Sequence, residues 1–282
     1  MNTFDTYLET VKKLHPTSVA HYRYYLSHWQ TWLEQEGLRA EKIEYAHLLL
    51  FMQACQEKGY QKSYLNSHLQ AIRHYFDYLI SEQRLDYNPA ANLFIRGIKR
   101  SIPAGLLERQ ALDDLYAAYC RDGAQGLRNK VLLGLLVFQA LRTGELLQLQ
   151  TSHVQLSKGL IEIPGSFRTE ARTLKLEAGQ MLPLQSYLSG LATGQPLFTD
   201  AGKVSQLHNR LAVLMGDLRV MNPGVKNASQ LRQSVIAEWL KIKDTRYVQH
   251  WAGHRYVSST ERYQTHQLAA LQADLNRFHP LQ

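Results

Sequence analysis

The longest apolar run in the chain is VLLGLLVFQAL, residues 131–141, and it constrains the fold more than any other feature. It is too short to cross a bilayer, which takes about 20 residues. It therefore reads as a helix over 128–141, apolar on all sides and buried in a sizeable core. The chain's 282 residues allow one large domain or two ordinary ones. A content of 45% hydrophobic and 20% charged residues is that of a globular protein. The opening segment, MNTFDTYLETVKK, has no apolar core of signal-peptide type. Cys55 and Cys120 show no paired spacing, which fits a reducing compartment better than a disulfide scaffold or a metal site. The expectation is a cytoplasmic protein with no membrane segment.

Upstream of this run the pattern is helical. FDTYLETVKKL places Phe4, Tyr7, Leu8 and Val11 at helical spacing. A second helix follows Pro16 and stops at Gly37, and a third, YAHLLLFMQACQEKG, closes at Gly59. The fourth, QKSYLNSHLQAIRHYFDYLISEQ, ends before LDYNPA. The segment NPAANLFIRGIKRSIPAG then breaks the periodicity with Pro89, Gly97, Pro103 and Gly105. It carries Arg96, Lys99 and Arg100. Such a basic linker can cross a DNA groove, and a solvated connector explains the composition equally well.

Beyond it, GLIEI and RTLKL are short β-capable runs around a polar turn, the signature of a hairpin. Helices are expected again at about 178–192, 205–220, 229–242, 244–252, 256–264 and 266–277. The predicted fold is mainly α. It has an N-terminal four-helix domain over residues 1–90, a linker over 91–106, and a mixed, mostly helical domain over 107–282 with a small antiparallel sheet.

The formal net charge is +8, and most of the excess falls after residue 100. That favours a polyanionic partner without identifying one. The chemistry concentrates in AGHRYVSSTERYQ, residues 252–264, where His254 stands nine positions before Tyr263. A phenol attacks phosphorus once cationic groups favour its phenolate or a base takes its proton. Histidine titrates near neutrality and both donates and accepts. Arg142, in LRTGEL, follows the apolar run, where an unpaired guanidinium is costly. Glu145 lies three residues on and can hold its side chain. Arg232, in SQLRQS, is expected at the edge of a helix whose core face is Leu231, Val235, Ile236 and Trp239. Each residue alone has an ordinary explanation, as an ion pair, a solvated charge or one tyrosine among 16. His250 and His254 have helical metal-ligand spacing, but Gly253 interrupts that face and no carboxylate follows, so no metal site is expected.

Taken together these segments resemble the tyrosine recombinase (phage integrase) family from near Leu107 to the C-terminus. QALRTGEL is similar to the family's first arginine box, LRQS to its second, and AGHRYVSSTERY to its terminal box. The resemblance implies that Tyr263 is the nucleophile and that Arg142, Arg232 and His254 hold the phosphate. It implies a 3′-phosphotyrosine intermediate that needs no cofactor, double-stranded DNA as partner, and a homotetramer on two DNA sites with helix 266–277 docking on a neighbour. The first four helices look like the family's DNA-binding domain, which closes with the second domain as a clamp. The chain departs from the pattern twice. Ser229 stands where the second box opens with histidine. Glu170 stands where a hairpin lysine is expected, leaving Arg168, Arg172 and Lys175 as nearby cations, of which Arg168 in the turn is preferred. Lys62, Tyr64, Asn66 and Arg73 on the fourth helix, with Arg96, Lys99 and Arg100, are candidate DNA contacts. Two other readings stay open: a non-catalytic DNA-binding clamp, supported by Ser229 and Glu170, and a helical interaction module.

Overall fold

A computed structural model of the chain describes residues 3–98, 104–166, 169–200 and 203–263. The chain divides into two compact units, Met1–Arg100 and Ser101–Gln282.

The first unit holds four α-helices: α1 (Phe4–Thr10), α2 (Pro16–Gln35), α3 (Tyr45–Glu57) and α4 (Lys62–Ser81). Pro16 opens α2, where its missing N–H costs nothing. α2 and α4 pack along their lengths, and Trp29, Leu65, Leu69, Ile72, Phe76 and Leu79 are wholly buried between them. Ala90 and Leu93 complete this core after α4. In HYRYYLSHWQTW, Trp29 and Trp32 are core and Tyr24 is exposed.

The second unit is built around α6 (Gly123–Val137), flanked by α5 (Arg109–Ala118) and α8 (Ala178–Leu188). Residues 131–137 of α6 are all buried, as the apolar run requires. At about 1.5–3 kcal/mol per large apolar side chain, this helix is the main anchor of the unit. The expected helix over 128–141 instead starts at Gly123 and stops at Val137. Ala140 then takes a left-handed conformation (φ 50°), which turns the chain into α7 (Thr143–Gln148).

The hairpin forms as expected, from β2 (Leu160–Ile163) and β3 (Arg172–Lys175), with Ile163 opposite Arg172. A two-residue strand β1 (Val154–Gln155) adds a third antiparallel member. Ile161, Ile163, Arg172 and Leu174 point inward. Then come α9 (Val204–Met221), α10 (Ala228–Ile242), α11 (Thr245–Trp251) and a helical turn over 258–263. The helix expected at 266–277 lies outside the described residues. Among the described residues no helix is long and apolar enough to cross a membrane.

Candidate active site

One side chain organises the centre of the second unit. Glu145, in the first turn of α7, is 2% exposed, accepts hydrogen bonds from two directions and faces a further cation from a third. Its Oε2 caps the backbone N–H of Arg142 at 2.8 Å. Its two oxygens take a bidentate pair from Arg172 at 2.7 and 3.1 Å. Arg232 Nη1 stands 3.8 Å away. The local Arg142–Glu145 side-chain pair expected from sequence is therefore replaced: the carboxylate binds the backbone of Arg142 and the side chains of two distant arginines. Burial pushes the Glu145 carboxyl up, but Arg172 above all, then Arg232 and the Arg142 N–H, hold it below its ordinary range.

Arg172 is consumed by this task. Besides Glu145 it donates to the Trp251 carbonyl at 2.7 Å, and its guanidinium lies against the backbone of Gly253. A Cβ on Gly253 would stand 2.4 Å from Nη1, and Gly253 itself has φ 62°, so only glycine fits. The hairpin is also zipped onto this segment, with Thr169 bridging His254 and Glu170 N–H donating to the Gly253 carbonyl at 3.3 Å. His254 is thus fixed by the hairpin on one side and by α11 on the other.

Arg232 lies on α10 beside the buried Leu231, Val235 and Ile236, and Asn227 caps the helix. It is 6% exposed and turns to a cavity rather than to bulk solvent. It donates to the Ala140 and Ala252 carbonyls. Nη2 also stands 3.3 Å from Nε2 of His254. A guanidinium only donates, so His254 Nε2 accepts. Nδ1 of His254 therefore carries the proton and donates to the Thr260 hydroxyl at 2.8 Å. Burial first, then Arg232, Arg142, Arg172 and Arg262, push the imidazole down to about 3, so it is neutral. Burial and Arg142 likewise lower the Arg232 guanidinium to about 9, still charged at neutral pH.

Tyr263 closes the group. It is 4% exposed, and its ring lies parallel to the His254 imidazole at 6.4 Å between centroids. Arg142, Ser229, Arg232, His254 and Tyr263 line one cavity of about 420 Å³ with Thr143, Gln233, Ser259 and Arg262. Among the described residues its lining offers guanidiniums, hydroxyls and a neutral imidazole and no carboxylate, a donor set for an anion. Ser229 is exposed one turn before Arg232 and accepts weakly from Gln233 at 3.4 Å.

The other sequence candidates lie elsewhere. Arg168, Lys99 and Arg100 fall outside the described residues. Glu170 is exposed and faces Arg255 at 3.7 Å. Lys175 lines a different cavity, with Trp239 and Trp251. His250 is exposed on α11, whereas His254 is buried beyond Gly253. In the first unit, Lys62 and Arg96 are exposed and Asn66 is half-buried on α4. Tyr64 sits edge-on to Tyr25 and Tyr60. Arg73 is turned inward, its fork on the Ala90 and Leu93 carbonyls and its face over Phe94. His68 is fully buried among Tyr25, Phe51 and Tyr64.

Sequence reasoning missed Arg262 and Thr260. Both sit on the turn that carries Tyr263, and Thr260 precedes it by three residues, a spacing that puts two side chains on one helical face. It also read Arg172 as a spare cation. Arg172 and Leu174 alternate on β3, so an arginine in register with an inward leucine needed a buried partner.

Residues 1–83 match the family described as phage integrase, N-terminal SAM-like domain, and residues 106–269 match the phage integrase family. Tyrosine recombinase XerC of Herpetosiphon aurantiacus is 27% identical over 274 residues, covering 93% of this chain and 89% of that protein. Tyrosine recombinase XerD of Shewanella oneidensis is 26% identical over 278 residues, covering 95% and 92%. Among solved structures, XerH site-specific recombinase bound to palindromic difH substrate superposes with a TM-score of 0.72 at 18% identity, over 96% of this chain and 83% of that one. The Tn1549 transposon integrase in complex with transposon right end DNA gives 0.66 at 11% identity, over 92% of each chain. These two share the fold. With the family pattern running through residues 106–269 and its N-terminal domain before it, the chain belongs to the phage integrase family.

Proposed function

We propose that this protein is a site-specific DNA recombinase that cuts and rejoins strands through a 3′-phosphotyrosine on Tyr263. The observation that carries the reading is the convergence of Arg142, Arg232, His254 and Tyr263 on one cavity, although they come from three separate segments. Relatives named as tyrosine recombinases and a related fold bound to a recombination site support it.

In this mechanism Arg142 and Arg232 hold the non-bridging oxygens of the scissile phosphate. The transition state gathers negative charge there, and guanidiniums fixed in a desolvated site stabilise it without reorganising. Tyr263 Oη gives up its phenolic proton and bonds to phosphorus, the bond from phosphorus to the 5′ oxygen breaks with its electron pair on that oxygen, and the 5′ oxygen takes up a proton, so no net proton is consumed. His254 has its Nε2 lone pair turned to Arg232. Burial first, and then the surrounding guanidiniums, keep this imidazole down; a bound phosphate offsets the second of these and so raises its capacity to hold a proton. A 5′-hydroxyl from another strand reverses the chemistry, so no metal or nucleotide is consumed. Arg168 is the proposed hairpin cation, and Ser229 replaces a histidine, giving a variant site.

Lys62, Tyr64, Asn66 and Arg96 are proposed DNA contacts of the first unit, with Lys99 and Arg100 beyond it. The inward fork of Arg73 suits a structural part. The active assembly is proposed to be a tetramer on two sites in the cytoplasm.

The test is a nicked duplex pool carrying candidate sites from around the gene, incubated with wild type and Tyr263→Phe in EDTA. A denaturation-resistant protein–DNA adduct is expected with wild type only. Salt-sensitive binding without any adduct would leave a non-catalytic clamp, with Ser229 and Glu170 as the suspected lesions.

A further inference from the structure

The cavity holds a guanidinium that this mechanism leaves unused. Arg262 lines it with Arg142, Ser229 and Arg232. It adjoins the nucleophile on the helical turn 258–263, and its Cζ stands 5.3 Å from the centroid of the Tyr263 ring. Its Nε is buried and has no hydrogen-bond partner among the described residues. Its charge reaches His254, where it is one of the four guanidiniums that push the imidazole down. A buried N–H of a permanent cation with no acceptor is costly unless an anion arrives to take it. Arg172, by contrast, is spent on Glu145 and is unavailable to a ligand.

On the same lining, Ser229 offers only a neutral hydroxyl, whose oxygen accepts from Gln233 at 3.4 Å. A hydroxyl carries no charge with which to meet the extra negative charge of a pentacoordinate phosphorus. We infer that Arg262 is a third phosphate-gripping cation, which takes over the contact that the serine at 229 does not make. The inference rests on the phosphotyrosine reading. Arginine stays protonated across the working range, so Arg262 stabilises charge and moves no proton. Its loss removes charge stabilisation at every pH, and because its field also helps hold the His254 imidazole down, any limb of the pH profile set by His254 moves to higher pH when it is removed.

The experiment is single-turnover adduct formation on the nicked duplex pool, with protein in excess, from pH 6 to 9. It compares wild type, Arg262→Gln, Arg262→Lys, Ser229→His and the double variant Ser229→His/Arg262→Gln. DNA affinity is measured for each in a Tyr263→Phe background. Arg262→Gln is expected to be about 100-fold slower than wild type, with affinity nearly unchanged and any His254-governed limb of the pH profile moved to higher pH. Arg262→Lys, which keeps the charge and loses the fork, falls between. Ser229→His recovers roughly ten-fold or more in the Arg262→Gln background and changes the wild type little, because the two side chains serve one phosphate. Wild-type rate in Arg262→Gln overturns the inference. So does a rate loss matched by an equal loss of affinity, which would place the contact elsewhere on the DNA, or a double variant no faster than Arg262→Gln. A wild type that forms no adduct overturns the phosphotyrosine reading itself, and this inference with it.

Discussion

The His254 imidazole is held neutral by burial and by the arginines around it, at about 3 against an ordinary 6.5. This has a consequence for stability. Between those values the unfolded chain binds a proton that the folded chain refuses, so stability rises with pH across that window. The contribution is fully present above about 6.5 and is lost as pH falls towards 3. Glu145, whose carboxyl is lowered, acts in the same direction but only below its ordinary 4.5. The interval from pH 5 to 6.5 therefore isolates the histidines. His254→Asn is expected to flatten the pH dependence of the second unit's urea midpoint there. An unchanged slope would show that the imidazole is protonated in the folded protein. Glu145 is the other residue on which the site depends. Stripping one partner from a buried ion pair costs about 3–5 kcal/mol, and here one carboxylate serves both Arg172 and Arg232.

Between elements, the decisive joint is the one that fastens the hairpin to the segment after α11. Gly253→Ala brings together a left-handed backbone and a Cβ driven into the Arg172 guanidinium. It is expected to destabilise by roughly 2 kcal/mol or more and to displace His254, read as a lower urea midpoint together with loss of adduct. The same joint shows what a sequence reveals at this scale. The helices were legible because their apolar residues recur at helical spacing, and the hairpin because β-capable runs flank a polar turn. The four residues gathered on the cavity were legible from the order and spacing of three short boxes. The end of α6 was not. FQALRT contains neither glycine nor proline, and only the fold shows that Ala140 must turn left-handed so that its carbonyl meets Arg232. Nor was the Glu145–Arg172 pair, because its partners lie on different elements, α7 and β3; nor was β1, which at two residues has no period to read.

In the whole molecule, each of the two units carries its own apolar core. Calorimetry of the full chain is expected to show two transitions. Trp29→Ala, which empties a fully buried site in the first unit, costs about 3–5 kcal/mol there. It should lower one transition and leave the other in place; a single transition shifted as a whole would show that the units unfold together. The order of the site's parts along the chain adds a temporal constraint on the proposed chemistry. Arg142 leaves the ribosome first, and Tyr263 follows on the order of ten seconds later at ordinary rates of synthesis. Until then the nascent chain has no nucleophile for the proposed cut. On that reading strand-breaking capacity is withheld until nearly all of the second unit has been made.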